Sequence, residues 1–275
     1  MPAALKIALP TTLLFVAFAF AGCHESSQAP EYTYTATDYS FSGPSELPPG
    51  LVTLHLVNDG AEHHHMQLLA IAAGHTYDDA RGHFQTAGEG PLPDWLTMMG
   101  GPNAPEPGES TRAVVDLDPG NHILLCLVPD REGTPHFAHG MTKEITVTGE
   151  ATPGEPPEDT VDVELVDYGF EAPEEFEAGG QTMMIHNGGA ERHELAMAKL
   201  DEGATVMDLL AAFGPNSTGP PPGDFMGGIT GIEPGATAWF PTDLEPGDYV
   251  FLCFFPTADG ELHVMKGMMH EFTVA

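Results

Sequence analysis

Two halves of this chain are copies of one another. HNGGAERHELAMAK at 186–199 repeats VNDGAEHHHMQLLA at 57–70, which sets His193 against His64 at an offset of 129 residues. The same offset sets DYGF at 167–170 against DYSF at 38–41. DLEPGDYVFLC at 243–253 repeats DLDPGNHILLC at 116–126 at an offset of 127, so the second copy has lost two residues in between. GMMHEFTV at 267–274 then repeats GMTKEITV at 140–147. A unit of roughly 115 residues is too long for a solenoid repeat and long enough to enclose a core, which predicts two whole domains.

Each copy carries a cysteine, a histidine ten residues later and a methionine five after that: Cys126, His136, Met141 and Cys253, His263, Met268. Thiolate, imidazole and thioether suit copper cycling between two oxidation states, and blue-copper centres combine two His, one Cys and a long axial Met. The matched pair His64 and His193 offers the second imidazole. A lone buried cysteine is usually a small core residue. Recurrence of all four groups at matched positions argues against that reading here.

Composition narrows the partners. Asp and Glu number 41 against 8 Lys and Arg, a net charge of −33. Nucleic acid is excluded as a partner, because binding its backbone requires clustered Lys and Arg. Such a surface favours cationic partners. It fits equally a saline habitat, where self-repulsion is screened, or plain solubility. Residues 1–23 read as an export signal: Lys6 precedes a short apolar run, Ile7 to Ala21, that ends in small residues. Phe20-Ala21-Gly22-Cys23 resembles a bacterial lipobox, with Phe20 where an aliphatic residue is usual. Cys23 is then the expected lipidation site and 24–31 a flexible tether to the membrane, the one expected membrane contact. A Cys126–Cys253 disulfide is not expected, because the two are equivalent points of separate domains.

Short runs rich in Thr, Val and aromatics, broken by Gly and Pro, predict strands in both copies. In the first they cover 32–42, 51–57, 65–71, 110–117, 121–127 and 142–148. In the second they cover 161–166, 181–186, 193–199, 236–241, 248–254 and 270–274. Helices are expected at 77–84 and 205–213. From Ala72 to Pro107 the remainder reads as Gly-, Pro- and polar-rich loop. The fold class is all-β: two tandem Greek-key β-sandwiches, each with a short helix in a long loop. The expected domains are 32–148 and 161–275, joined by a Pro- and Glu-rich linker at 149–160.

The pattern resembles the cupredoxins, the blue type 1 copper proteins. A strand-borne His is followed about sixty residues later by a Cys ending the penultimate strand, with His and Met in the loop to the last strand. The resemblance covers nearly all of 32–148 and 161–275. The Cys-to-Met loop is longer than in plastocyanin- or azurin-like proteins and nearer that of the copper domain of nitrite reductases. The resemblance implies one copper per domain, held by His64, Cys126, His136 and Met141 in the first and by His193, Cys253, His263 and Met268 in the second. His63 and His65 would lie on the opposite strand face from His64, and Arg192 and Glu194 replace them in the second copy. His139 is matched by Lys266. Of Met265, Met268 and Met269, only Met268 keeps the shared Gly-Met step. Asn58 and Asn187, six residues before each histidine, either hydrogen-bond within the ligand loop as outer support or are turn residues before Gly.

The implied function is single-electron transfer at the cell envelope with a redox protein of complementary, basic surface. A copper-binding or delivery protein at the cell surface is the alternative, and a copper oxidoreductase a further one. No enzyme activity is expected: Leu125, Leu127, Leu252 and Phe254 flank the cysteines where oxidases carry a histidine. The sole His-x-His, His63 with His65, is not repeated, and no nucleophile triad, P-loop or dinucleotide fingerprint is present.

Overall fold

The computed structural model describes Met1 and residues 28–87, 92–213 and 220–275. The leader expected at 1–23, with Cys23, lies outside the described residues apart from Met1. The first half contains β1 (Glu31–Thr37), β2 (Ser40–Ser42), β3 (Glu46–Leu47), β4 (Gly50–Asn58), β5 (Gln67–Ile71), α1 (Tyr77–Ala87), β6 (Leu96–Gly100), β7 (Ser110–Leu117), β8 (Gly120–Leu125) and β9 (Thr142–Val147). The second repeats the order with β10 (Thr160–Val166), β11 (Gly169–Glu171), β12 (Glu175–Phe176), β13 (Gly179–Asn187), β14 (His193–Leu200), α2 (Val206–Ala211), β15 (Gly223–Ile232), β16 (Thr237–Leu244), β17 (Gly247–Leu252) and β18 (Met269–Val274).

Period-two burial places these strands. In β4 the buried row is Val52, Leu54, Leu56 and Asn58, so it runs straight into the first histidine loop. In β13 Met183, Ile185 and Asn187 do the same. Each half is a two-layer sandwich. In the first, β2-β1-β4-β7 faces β3-β9-β8-β5-β6. In the second, β11-β10-β13-β16 faces β12-β18-β17-β14-β15.

The halves do not stop at their own edges. β7 meets β16 antiparallel at Val114 and Trp239, and β6 meets β15 antiparallel at Met99 and Ile232. One sheet therefore has eight strands and the other ten. Each order is a palindrome: reading outward from the seam, β16-β13-β10-β11 answers β7-β4-β1-β2. That order, with antiparallel contact between equivalent strands, describes a local twofold axis at the seam, as in an isologous dimer. One cluster of buried apolar side chains runs through both halves, including Leu54, Val115 and Leu124 of the first and Leu195, Ile229 and Phe240 of the second.

Both helices are capped alike. Thr205 accepts from the Asp208 N–H at 3.2 Å while the Asp208 carboxylate accepts from the Thr205 N–H at 3.0 Å. Thr76 and Asp79 repeat the arrangement at the start of α1. Strands β6 and β15 were not expected. Met98-Met99-Gly100-Gly101 and Met226-Gly227-Gly228 carry no polar-apolar alternation in sequence, and their glycines adopt positive φ. The segment at 149–160 lies partly against the first sandwich: Thr152 donates its N–H to the Pro49 carbonyl and its hydroxyl to the Leu51 carbonyl, each at 2.8 Å.

Candidate metal centres

Each histidine loop is built by the asparagine that precedes it. Asn58 Nδ2 donates to the Glu62 and Pro105 carbonyls at 2.9 and 3.1 Å, while its Oδ1 accepts from Gly60 N. Asn187 makes the matching bonds to the Glu191 and Ile232 carbonyls, both 3.0 Å, and accepts from Gly189 N. The fold of this loop leaves no room beside the imidazole. A Cβ on Gly60 would lie 2.5 Å from His64 Nε2, and one on Gly189 would lie 2.7 Å from His193 Nε2.

The second loop is closed by backbone bonds that bring its three donors together. Met141 N donates to the His136 carbonyl at 3.1 Å, Cys126 N to the Met141 carbonyl at 3.3 Å and Phe137 N to the Cys126 carbonyl at 2.9 Å. The equivalent bonds among Cys253, His263, Val264 and Met268 are 3.0, 3.4 and 2.8 Å. Cys126, His136, Met141 and His64 are all fully buried, as are Cys253, His263, Met268 and His193.

These loops converge. His64 Nδ1 lies 3.0 Å from His136 Nδ1, and Cys126 Sγ lies 3.4 Å from the same nitrogen. In the second half the distances are 3.0 Å for His193 to His263 and 3.5 Å for Cys253 to His263. Within each group of His, Cys and His the donor atoms all lie within 4.8 Å of one another. The outer ring nitrogens are held by carboxylates. His64 Nε2 is 2.7 Å from Asp38 and His193 Nε2 is 3.0 Å from Asp167. His263 Nε2 is 3.0 Å from Glu191, whereas Glu62 comes within 3.1 Å of His136 Nε2 without the alignment of a hydrogen bond. Tyr39 and Tyr168 donate their hydroxyls to those glutamates at 3.1 and 2.9 Å.

Asp38, Asp167 and Glu191 therefore fix the tautomers of His64, His193 and His263 with the proton on Nε2, which leaves each Nδ1 a lone pair to turn toward its neighbour and the sulfur. Lone pairs converging in a dry pocket fit a soft cation. The titration of the bare groups agrees. Burial pushes the Cys126 thiol up to about 12 and raises Cys253 as well, so a thiolate here needs a positive charge beside it. Burial and the facing imidazole hold His136 and His263 below the usual histidine range, which keeps them neutral ligands. The two groups suit two copper ions, one per half. Both halves carry the donor set that the resemblance to cupredoxins implies.

No family model and no curated protein matches the chain. Among solved structures, a dithionite-reduced auracyanin from the photosynthetic bacterium Roseiflexus castenholzii is 24% identical over 42% of this chain and 96% of its own, with a TM-score of 0.30. A multicopper oxidase is 15% identical over 90% of this chain and 92% of its own, TM-score 0.27. A copper nitrite reductase from Nitrosomonas europaea is 12% identical over 90% and 94%, TM-score 0.27. Oxidases and nitrite reductases are enzymes, which corrects the expectation that this chain is none. The residues beside Cys126 and Cys253 bear on one way of wiring a second metal. They are silent on a substrate that meets the cupredoxin sites by another route.

The neighbouring candidates take other roles. His64 sits in a loop before β5, and only His193 opens a strand, so alternation does not govern this region. His65 turns its N–H to Cys126 Sγ at 3.5 Å and accepts from Leu127 N through Nε2 at 3.0 Å. Glu194 does the same in the second domain, its N–H 3.5 Å from Cys253 Sγ and its carboxylate 3.0 Å from Phe254 N. Burial lifts the Glu194 carboxyl to about 7 against the bonds from Phe254 and Asn103 that lower it. His63 pairs with Glu106 at 2.9 Å and His139 with Asp130 at 2.7 Å. Sequence reasoning missed Asp38, Asp167, Glu62, Glu191, Tyr39 and Tyr168. All of them recur at the offset of 129 that located His64 and His193.

Proposed function

We propose that each domain holds one copper in a type 1 site and that the chain passes single electrons through these sites. The observation that carries this reading is the pair of buried triangles of two Nδ1 and one Sγ, each braced by carboxylates. His64, Cys126 and His136 would hold the first copper, with the buried Met141 as the fourth candidate donor. His193, Cys253, His263 and Met268 would serve the second. Bound copper supplies a one-electron couple, and its thiolate bond gives an intense visible band. The chain holds both imidazoles and the thiolate in place, so little must move when the charge changes. Full burial of these donors favours electron transfer over delivery, which needs ligands that an acceptor protein can reach.

The partner is a redox protein with a basic face, matched to a net charge of −33. The leader-like residues support export, with attachment through Cys23. Among the described residues no helix is long and apolar enough to cross a membrane.

Copper analysis and visible spectra of cysteine variants test the assignment. Cys253→Ser should lose one copper and roughly half of the band, leaving the first site intact, and Cys126→Ser should do the converse. The double variant should be colourless. Copper bound without the band and yielded to mild chelators would replace electron transfer by delivery.

A further inference from the structure

The histidine loops are tied to one another across the seam by residues outside both donor sets. Asn103 and Thr230 are equivalents at the offset of 127. Each reaches over the local twofold to the carbonyl of the residue two after the other domain's histidine. Thr230 Oγ1 is 3.3 Å from the Met66 carbonyl and 3.2 Å from that of Gly101. Asn103 Nδ2 lies 3.3 Å from the Leu195 carbonyl, 3.4 Å from that of Ile229 and 3.2 Å from Glu194 Oε2. Asn103 and Thr230 are both buried.

These bonds join the two thiols. From Cys126 Sγ the contact is the His65 N–H at 3.5 Å, and Met66 follows. Met66 N donates to the Pro102 carbonyl at 2.9 Å, and Pro102 is bonded to Asn103. Asn103 Nδ2 donates to the Leu195 carbonyl at 3.3 Å. Leu195 follows Glu194, whose N–H is 3.5 Å from Cys253 Sγ. A second limb runs from the Met66 carbonyl through Thr230 Oγ1 and Ile229 back to the same amide of Asn103. Both limbs lie in the interior and cross at Asn103.

We infer that the two copper sites exchange electrons within the molecule and that Asn103 is the crossing point of the route. In each event one copper is oxidised from Cu(I) to Cu(II) and the other reduced from Cu(II) to Cu(I). One electron moves, and no proton or bond accompanies it. This rests on the reading that both domains hold copper. Contiguity is a physical warrant for a route only if changing its members changes the coupling.

The test uses the full two-copper protein carrying Met268→Leu, which displaces the potential of the second site. Flash reduction by less than one electron per molecule loads both sites by encounter, and the electron then settles by potential. Freeze-quenched samples follow the Cu(II) resonance of each site, assigned from the single-copper proteins Cys126→Ser and Cys253→Ser. The expected result is a redistribution whose rate constant is independent of protein concentration. Asn103→Leu should lower that constant by roughly an order of magnitude and Thr230→Val by less. Glu106→Gln, which alters a seam contact off the route, should leave it unchanged. Should Asn103→Leu fail to fold, Asn103→Ser carries the same expectation. Redistribution only by collision between molecules overturns the inference. So does an equal rate constant in the Asn103, Thr230 and Glu106 variants. A protein without two copper signals would instead sink the underlying reading.

Discussion

At the scale of single residues, the site depends on atoms that never touch the metal. Asp38 and Asp167 hold the outer nitrogen of the first histidine in each domain, and Ala61 N and Ala190 N hold the aspartates in turn. Removing the negative charge loosens both the tautomer and the ring. Asp167→Asn is expected to lower copper affinity of the second site by about 10- to 100-fold, as outer partners of metal-bound histidines do. Competition against a chelator of known strength measures this. The visible band of the copper that remains should persist, because Cys253 is untouched. The donors were legible from the sequence because their types are distinctive and their spacing repeats. Asp, Glu and Tyr are commonplace residues, so their recurrence in DYSF and DYGF and before each histidine marks the repeat without marking a role. Strand alternation places His65 on the face away from the site, and Glu194 is only its counterpart in the second copy. Their backbone bonds to sulfur depend on a loop conformation that strand alternation does not describe.

At the scale of elements, strands with an alternating apolar face are legible in the sequence and the glycine-rich ones are not. β7 was found at its observed bounds because one face is apolar along its length, whereas β6 and β15 hide in runs of Met and Gly. Those glycines are required. Gly101 has φ 143° and Gly228 φ 129°, and a Cβ there would overlap the carbonyl oxygens of Met66 and Leu195. Gly228→Ala is therefore expected to destabilise the protein by about 1–3 kcal/mol or more, read from thermal or denaturant unfolding. Gly82, inside α1 with open space around its Cα, gives the opposite sign. Gly82→Ala should stabilise by roughly 0.4–1 kcal/mol in the same assay.

At the scale of the whole molecule, the seam is locked by two charged clasps related by the twofold. Glu106 joins His63 to the N–H of Phe225, and Glu233 joins Arg192 to the N–H of Met98. Glu106 loses solvation by burial, which raises its pKa, yet the bonds from His63 and Phe225 win and hold it below its ordinary value of 4.5. A carboxylate depressed in the folded state stabilises fully above that value, and the contribution is lost as pH falls through the folded pKa. Acid should thus loosen the seam below about pH 4.5. Unfolding midpoints of wild type and Glu106→Gln, compared across that range, should converge as the pH drops. The duplication was plain in the sequence, but the fusion of two sandwiches into shared sheets was not. Docking is written in side chains such as Glu106 and Asn103, which stand in loops and follow no period.

The palindromic strand order also decides how this molecule behaves in a crowd. A sheet with a long bare edge can add strands from a neighbour without limit. Here β7 meets β16 and β6 meets β15 at the seam, and among the described residues the outermost strands are β2 and β11 with three residues each and β3 and β12 with two. Stubs of that length offer too few free N–H and C=O groups to template another chain. Duplication has in effect turned one strand edge of each sheet inward, where it meets its own copy instead of a neighbouring molecule.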